Sequence, residues 1–302
     1  MDADGELPGR AHPNEPVYTG LSKPGSFRQL TCGRPKNSPS SNPNRIINGV
    51  LARKNSWPWI GAMMREPDFQ FCGSSLISDQ WVLTAGHCID SFTDDKIIET
   101  VKIIFGVEDL TAATPANKYR VTKVIRHEKY NNPVGSTSND IALLKLDRKV
   151  HISNDTMPAC LPTKSVFEKP YVQTAPNNRR ICYVAGWGHL VSGQHGDTGG
   201  KIGAGTDQLQ QVALEIMSTD DCKAFLKGLY TEKTFCAGHD SGKYDSCRGD
   251  SGGPVVCDDG PEHGWSLHGI VSWGFGCGQP KAPAAHTHVA LMLDWIYANI
   301  PS

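Results

Sequence analysis

The sequence predicts an all-β protein that ends in a single helix. Short apolar runs recur along the chain between turn-forming residues, with no βαβ alternation. Helical spacing stands out once, at Val289, Leu293, Ile296 and Ile300. Ten cysteines are scattered without one C-x2-C pair, a pattern of disulfides in an oxidising compartment rather than of zinc ligands. The 302 residues suffice for one large all-β domain or two smaller ones.

Charge and hydropathy exclude several classes of partner. Lys+Arg is 30 and Asp+Glu is 31, so a net charge of −1 gives no reason to expect nucleic acid or an anionic membrane. No apolar run approaches the roughly 18 residues of a spanning helix. The start, Met1-Asp2-Ala3-Asp4-Gly5-Glu6, is too polar and acidic for a signal peptide. With ten cysteines, it reads as a secreted protein whose start is truncated.

Residues 1–45 contain Pro8, Pro13, Pro16, Pro24, Pro35, Pro39 and Pro43 and cannot bury enough apolar surface to order themselves. Cys32 is the one expected anchor of this leader. Composition changes at Arg45-Ile46-Ile47-Asn48-Gly49, and a domain is expected over 46–302. Trp57, Trp59 and Ile60 open a strand-like region. Two short strands around Leu76 and Val82 flank a turn at Ser78-Asp79-Gln80, and the second ends at His87. Cys72 and Cys88, 16 residues apart, flank that histidine. A bridge between them would pin its loop with about 3 kcal/mol of chain-entropy stabilisation.

Strands are expected next at Val101–Phe105 and Tyr119–Ile125. Asn139-Asp140 precedes a nearly continuous apolar run to Leu146, which predicts a buried strand with a carboxylate at its mouth. Arg180–Gly188, containing Cys182, is strand-like, and His189–Asp207 is polar and glycine-rich. Ser218-Thr219-Asp220-Asp221 has the form of a capped helix start. Pro254–Cys257 and Ser266–Trp273 return to strands, and the terminal helix follows.

The chemistry concentrates in Asp245-Ser246-Cys247-Arg248-Gly249-Asp250-Ser251-Gly252-Gly253-Pro254. A serine alcohol attacks only with a base in reach and a site for the resulting oxyanion. Ser251 lies between glycines that do not shield it, and the N–H groups of Gly249 and Ser251 can aim at one point. Gly-x-Ser-x-Gly also marks α/β-hydrolases, but those run serine, acid, histidine. Here the order is His87, Asp140, Ser251.

That string, Thr84-Ala85-Gly86-His87-Cys88, Asn139-Asp140-Ile141-Ala142-Leu143-Leu144 and Arg45-Ile46-Ile47-Asn48-Gly49 together resemble the chymotrypsin/trypsin family of serine proteases from Ile46 to Ser302. The resemblance implies two six-stranded antiparallel Greek-key barrels with a cleft between them and a C-terminal helix. It implies His87, Asp140 and Ser251 as the catalytic triad, with Gly249 and Ser251 as the oxyanion hole. Ser272, Trp273 and Gly274 match the segment that pairs with substrate, and Asp245 the acid at the base of the specificity pocket for Lys or Arg. Cleavage after Arg45 would free Ile46 to pair with Asp250. The implied disulfides are Cys32–Cys160, Cys72–Cys88, Cys182–Cys257, Cys222–Cys236 and Cys247–Cys277, so the leader stays attached.

This sequence departs from the family pattern in places. Gly86 replaces the usual alanine, Ser74 a glycine, Ala284 a pocket glycine and His286 a tyrosine; the loops after His87 and after His189 are longer. Between Gly106 and Arg120 only Glu108 and Asp109 are acidic, so no metal is expected, and no cofactor. Asn154-Asp155-Thr156 is the one glycosylation sequon. Expected partners are protein or peptide substrates, an activating protease and protein protease inhibitors. The alternative reading is a non-proteolytic homologue that acts as a scaffold.

Overall fold

Strands dominate because most apolar residues alternate or cluster over four to nine positions. The computed structural model describes residues 32–39, 50–67, 69–130, 138–163, 180–189, 205–238, 246, 249–275 and 282–300. Strand β1 (Val50–Leu51) is followed by β2 (Ile60–Arg65), β3 (Phe69–Leu76), β4 (Trp81–Thr84), β5 (Val101–Ile104), β6 (Lys118–Arg126) and β7 (Ala142–Leu146). Strands β2 to β7 close into a six-stranded barrel in the order β2-β3-β4-β7-β6-β5. The second half holds β8 (Ile181–Gly186), β9 (Gln210–Ile216), β10 (Thr234–Gly238), β11 (Pro254–Asp258), β12 (Trp265–Trp273) and β13 (Ala284–His288). They run β9-β10-β13-β12-β11-β8, and the β8–β9 pairing closes a second six-stranded barrel to which β1 adds at β9. Every strand pair is antiparallel. The all-β double-barrel expectation is met.

Burial patterns explain the register. In β6, Tyr119 and Val121 point inward while Arg120 and Thr122 face solvent, the period of two that selects one face. In β7, Ala142, Leu143 and Leu144 are all buried, because this strand has protein on both sides. Each such leucine contributes about 1.5–3 kcal/mol by leaving water. The barrels meet at an aromatic seam. Trp57, which leads into β2, stacks edge-on against Trp265 of β12 at 5.3 Å and lies 5.7 Å from Tyr183 of β8. Its indole N–H donates to Gln211 Oε1 of β9 at 2.9 Å, so the buried polar edge is satisfied.

Helix α2 (Thr219–Leu226) starts as expected: the Ser218 hydroxyl accepts from the Asp221 N–H at 3.1 Å. The expected terminal helix begins as a 3-10 turn (Val289–Met292) and continues as α3 (Leu293–Asn299), burying Val289, Leu293 and Ile296. Three strands carry no clear signal in the sequence. β10 and β13 read Thr-Phe-Cys-Ala-Gly and Ala-Ala-His-Thr-His, yet both are wholly buried. β9 is the third. Helix α1 (Asp94–Thr100), capped by the Thr93 hydroxyl, fills the long loop after His87.

Among the described residues there are four disulfides: Cys32–Cys160, Cys72–Cys88, Cys182–Cys257 and Cys222–Cys236. Cys182 and Cys257 face each other in the β8–β11 register. Cys247 and Cys277 lie outside the described residues, as do Arg45, Ile46 and Asp245. The leader has more than its one expected anchor. Gly33, at φ +60°, donates its N–H to Pro158 O and accepts from Trp265 N; a side chain there would run into Cys160 Sγ. Arg34 donates to the carbonyls of Pro261 and Glu262, and Asn37 to that of Lys54. Hydrogen bonds from the Gly33 backbone and the Arg34 and Asn37 side chains hold this segment, so a search for apolar residues misses it. Among the described residues, no helix is long and apolar enough to cross a membrane.

Candidate active site

Asp140 is the organising group. It follows Asn139, whose φ of +56° turns the chain into β7, and its side chain is fully buried. A buried carboxylate persists only when its lone pairs are taken up. Asp140 Oδ1 accepts the backbone N–H of His87 at 2.8 Å. Its Oδ2 accepts His87 Nδ1–H at 2.8 Å and the Ser272 hydroxyl at 2.5 Å. Thr287 of β13 donates to its carbonyl at 2.8 Å. Residues of both barrels therefore converge on one acid.

His87 sits in the 3-10 turn Gly86–Cys88 that follows β4, locked by the Cys72–Cys88 bridge. With Nδ1–H committed to Asp140, the neutral ring presents an unprotonated Nε2, the arrangement a general base requires. Its side chain remains 25% exposed. Burial alone would lower the basicity of this imidazole, but the charge and hydrogen bond of Asp140 outweigh it, with Asp90 adding, and the net direction is up. For Asp140, burial acts upward, and His87 and Ser272 hold the carboxyl below its ordinary value. The Cys72, His87 and Cys88 ligand atoms cluster closely, but both sulfurs are bridged and so are poor metal ligands.

Ser251 reaches the same cleft by a different route. Its carbonyl accepts Gly73 N–H at 2.7 Å, one residue from Cys72, and Gly252 N–H bonds Val271 O at 2.8 Å. Gly252 has φ +77°, and a Cβ there would stand 3.0 Å from Cys88 Sγ. The serine loop is thus pressed against the bridge that pins His87. Among the described residues the hydrogen bonds of His87 Nε2 do not reach the Ser251 hydroxyl; its one close ring contact there is Cys88 Sγ at 3.9 Å. Such bonds commonly tighten only when substrate is present. Gly249, at φ +99°, adopts backbone that a side chain would strain.

Three residues that no motif flagged, Gly186, Gly188 and Gln70, shape this loop. Asp250 Oδ1 accepts Gly188 N–H at 2.9 Å, and a side chain at Gly186 or Gly188 would collide with that carboxylate. Gln70 Nε2 donates to Gly249 O at 2.8 Å and to Cys72 O at 3.0 Å, tying β3 to the serine loop.

On the far side of the cleft, Ser272 and Trp273 end β12, and Gly274 is exposed. Trp273 packs edge-on against Phe275, 5.5 Å away, which is 53% exposed. Ser246, Ala284 and His286 are buried. His286 lies 5.3 Å from the Phe235 ring. Burial pushes its imidazole down to about 3, so it is neutral at ordinary pH. Asn154 is exposed at the surface.

The fold and this arrangement define a double β-barrel with a carboxylate-bound histidine and a glycine-flanked serine at the seam. The trypsin family model matches residues 46–296, and the chain belongs to that family, the trypsin-like serine proteases.

Proposed function

We propose that the protein is a secreted serine endopeptidase that cleaves after Lys or Arg and is activated by cleavage at Arg45-Ile46. The observation that supports this reading is the Asp140 network, which commits His87 Nδ1–H and leaves Nε2 as the free nitrogen of the ring. In the proposed reaction His87 takes the Ser251 proton as the hydroxyl attacks a peptide carbonyl. The N–H groups of Gly249 and Ser251 receive the oxyanion. His87 then protonates the leaving amine, and water releases the acyl-enzyme. Ser272, Trp273 and Gly274 hold the substrate as an added strand, and Asp245 attracts its basic side chain. Protein inhibitors would occupy the same cleft. Disulfides and the Asn154 sequon favour secretion. A fluorophosphonate label on Ser251, with turnover of Lys and Arg peptides after cleavage at Arg45, tests the reading. No label and no turnover would leave the scaffold alternative.

Activation should be a large switch. The intact chain is expected to be nearly inactive, and the active form to begin Ile-Ile-Asn-Gly. The Cys32–Cys160 bridge should keep the leader attached without reductant. The Ile46 ammonium, paired with Asp250, should titrate above the ~7.7–8.0 of a free α-amino group. Its stabilisation is then full below that value and lost as pH rises through the raised one. N-terminal sequencing, non-reducing electrophoresis and a pH profile check this; full activity with Arg45-Ile46 intact would sink it.

Ala284 should tune the pocket. Its methyl group crowds a planar guanidinium more than a compact ammonium that can reach a carboxylate through water. A one-methylene misfit is worth about 1–3 kcal/mol. Ala284→Gly should therefore gain on Arg relative to Lys by about 5- to 150-fold on matched substrates. No relative gain would show that Ala284 does not set the pocket width.

A further inference from the structure

Gly86 stands where a side chain would be tight. A Cβ there would lie 3.2 Å from two ring carbons of Tyr130 and 3.3 Å from Asp140 Oδ1. Glycine at this position lets the Tyr130 ring rest on the backbone just before His87. The same ring ends in a hydroxyl that donates to Asp90 Oδ2 at 3.3 Å. Tyr130 therefore spans the histidine turn from its first residue to the acid that follows it. The rest of the turn is braced: Ile89 is fully buried, and the Arg126 guanidinium donates to the carbonyls of Ile89 and Phe92 while pairing with Asp94. Asp90 itself is exposed, three residues from His87.

We propose that Asp90, held by Tyr130 across the histidine turn, is a second positioning carboxylate that sets the pH range in which His87 serves as base. This rests on the protease reading of the site. Asp140 takes the Nδ1 side of the ring from within; Asp90 acts through space from solvent. The charged groups on the surrounding elements are few. Asp140 precedes β7. Arg126 ends β6 and is engaged with Asp94 of α1; on the loop beyond lie His127, whose Nδ1 accepts from Lys129 N–H, Glu128, which accepts from the Trp295 indole, and Lys129. Asp250 sits beside Ser251, bound to Gly188 N–H. Residues 131–137 carry no ionisable side chain, and Arg248 lies outside the described residues. Of these, Asp140 and Asp90 are the carboxylates that support the His87 imidazolium. The consequence has a definite sign. A charge that favours the imidazolium makes His87 a stronger base, and it narrows activity on the acid side, because only the neutral ring can take the serine proton.

The test is the titration of His87 itself, followed by NMR in the full chain and assigned by loss of its signal in His87→Gln. In Asp90→Asn the midpoint should fall by about 0.2–0.5 pH units, the scale of one exposed, solvent-screened carboxylate on the same turn. At about 1 M salt, where the screening length is about 3 Å, most of that difference should vanish. Asp90→Glu should restore most of the midpoint, and Tyr130→Phe should lower it by less than Asp90→Asn. The acid limb of kcat/KM should move with the NMR midpoint. An unchanged midpoint in Asp90→Asn, or an equal fall at high salt, overturns the proposal. If the midpoint moves as expected while no form of the protein cuts peptide, the protease reading fails and the electrostatic role of Asp90 stands.

Discussion

Ser251→Ala and His87→Ala should each lower kcat by about 10⁴–10⁶-fold, and the double variant should be no worse than either alone. The reason is that neither residue catalyses without the other. Without the alcohol, a correctly held imidazole has no nucleophile to activate; without the imidazole, the alcohol keeps its proton. The surviving rate comes from oxyanion donors and substrate positioning, which the two substitutions leave in place. Both side chains are partly exposed at the seam, so neither truncation opens a cavity in a barrel core. Folding should be unaffected, and thermal unfolding beside the kinetics will show it. Losses that multiply in the double variant would mean that the two residues act independently.

Asp140→Asn should cost about 10⁴-fold in kcat while the fold survives. The carboxylate accepts from His87 N–H, His87 Nδ1–H and the Ser272 hydroxyl. A carboxamide has one accepting oxygen and an NH2 that must face donors. The cheapest rearrangement puts that NH2 on His87 Nδ1, which forces the proton to Nε2, where the base is needed. The charge that raises the imidazole's basicity is lost as well. The His87 midpoint should then fall by more than in Asp90→Asn, since Asp140 is the closer and more buried partner. A variant with near-normal turnover would show that the Asp140 network positions nothing of consequence.

How much of this was readable in advance depends on the range of the interaction. β4, β6 and β7 are legible because their apolar pattern is local and each strand must bury one face or both. The Ser218 cap is legible for the same reason. β13 is not: Ala-Ala-His-Thr-His becomes a strand only because β10 and β12 flank it, and burial of its histidines is imposed by the barrel around them. Helix α1 sits in a loop whose length is legible in the sequence but whose shape is not. Cys32 is the anchor that the sequence offers, whereas the Gly33 backbone and the Arg34 and Asn37 side chains also hold the leader, bonded to distant backbone groups that no local pattern marks.

The local strings of this chain were enough to mark the β class, the order histidine, acid, serine, and the residues worth watching, since each string is a short run whose chemistry its own neighbours imply. The closed second barrel with β9, β10 and β13 in it, the Gln70 tether to Gly249, the glycines that make room for Asp250, and the Tyr130 span from Gly86 to Asp90 emerged only in three dimensions. Gln70 and Gly249 are 179 residues apart, and Ser272 and Asp140 132. Contacts at such separations leave no period or spacing in the sequence, because the partner is chosen by how two barrels pack and not by what stands next in the chain.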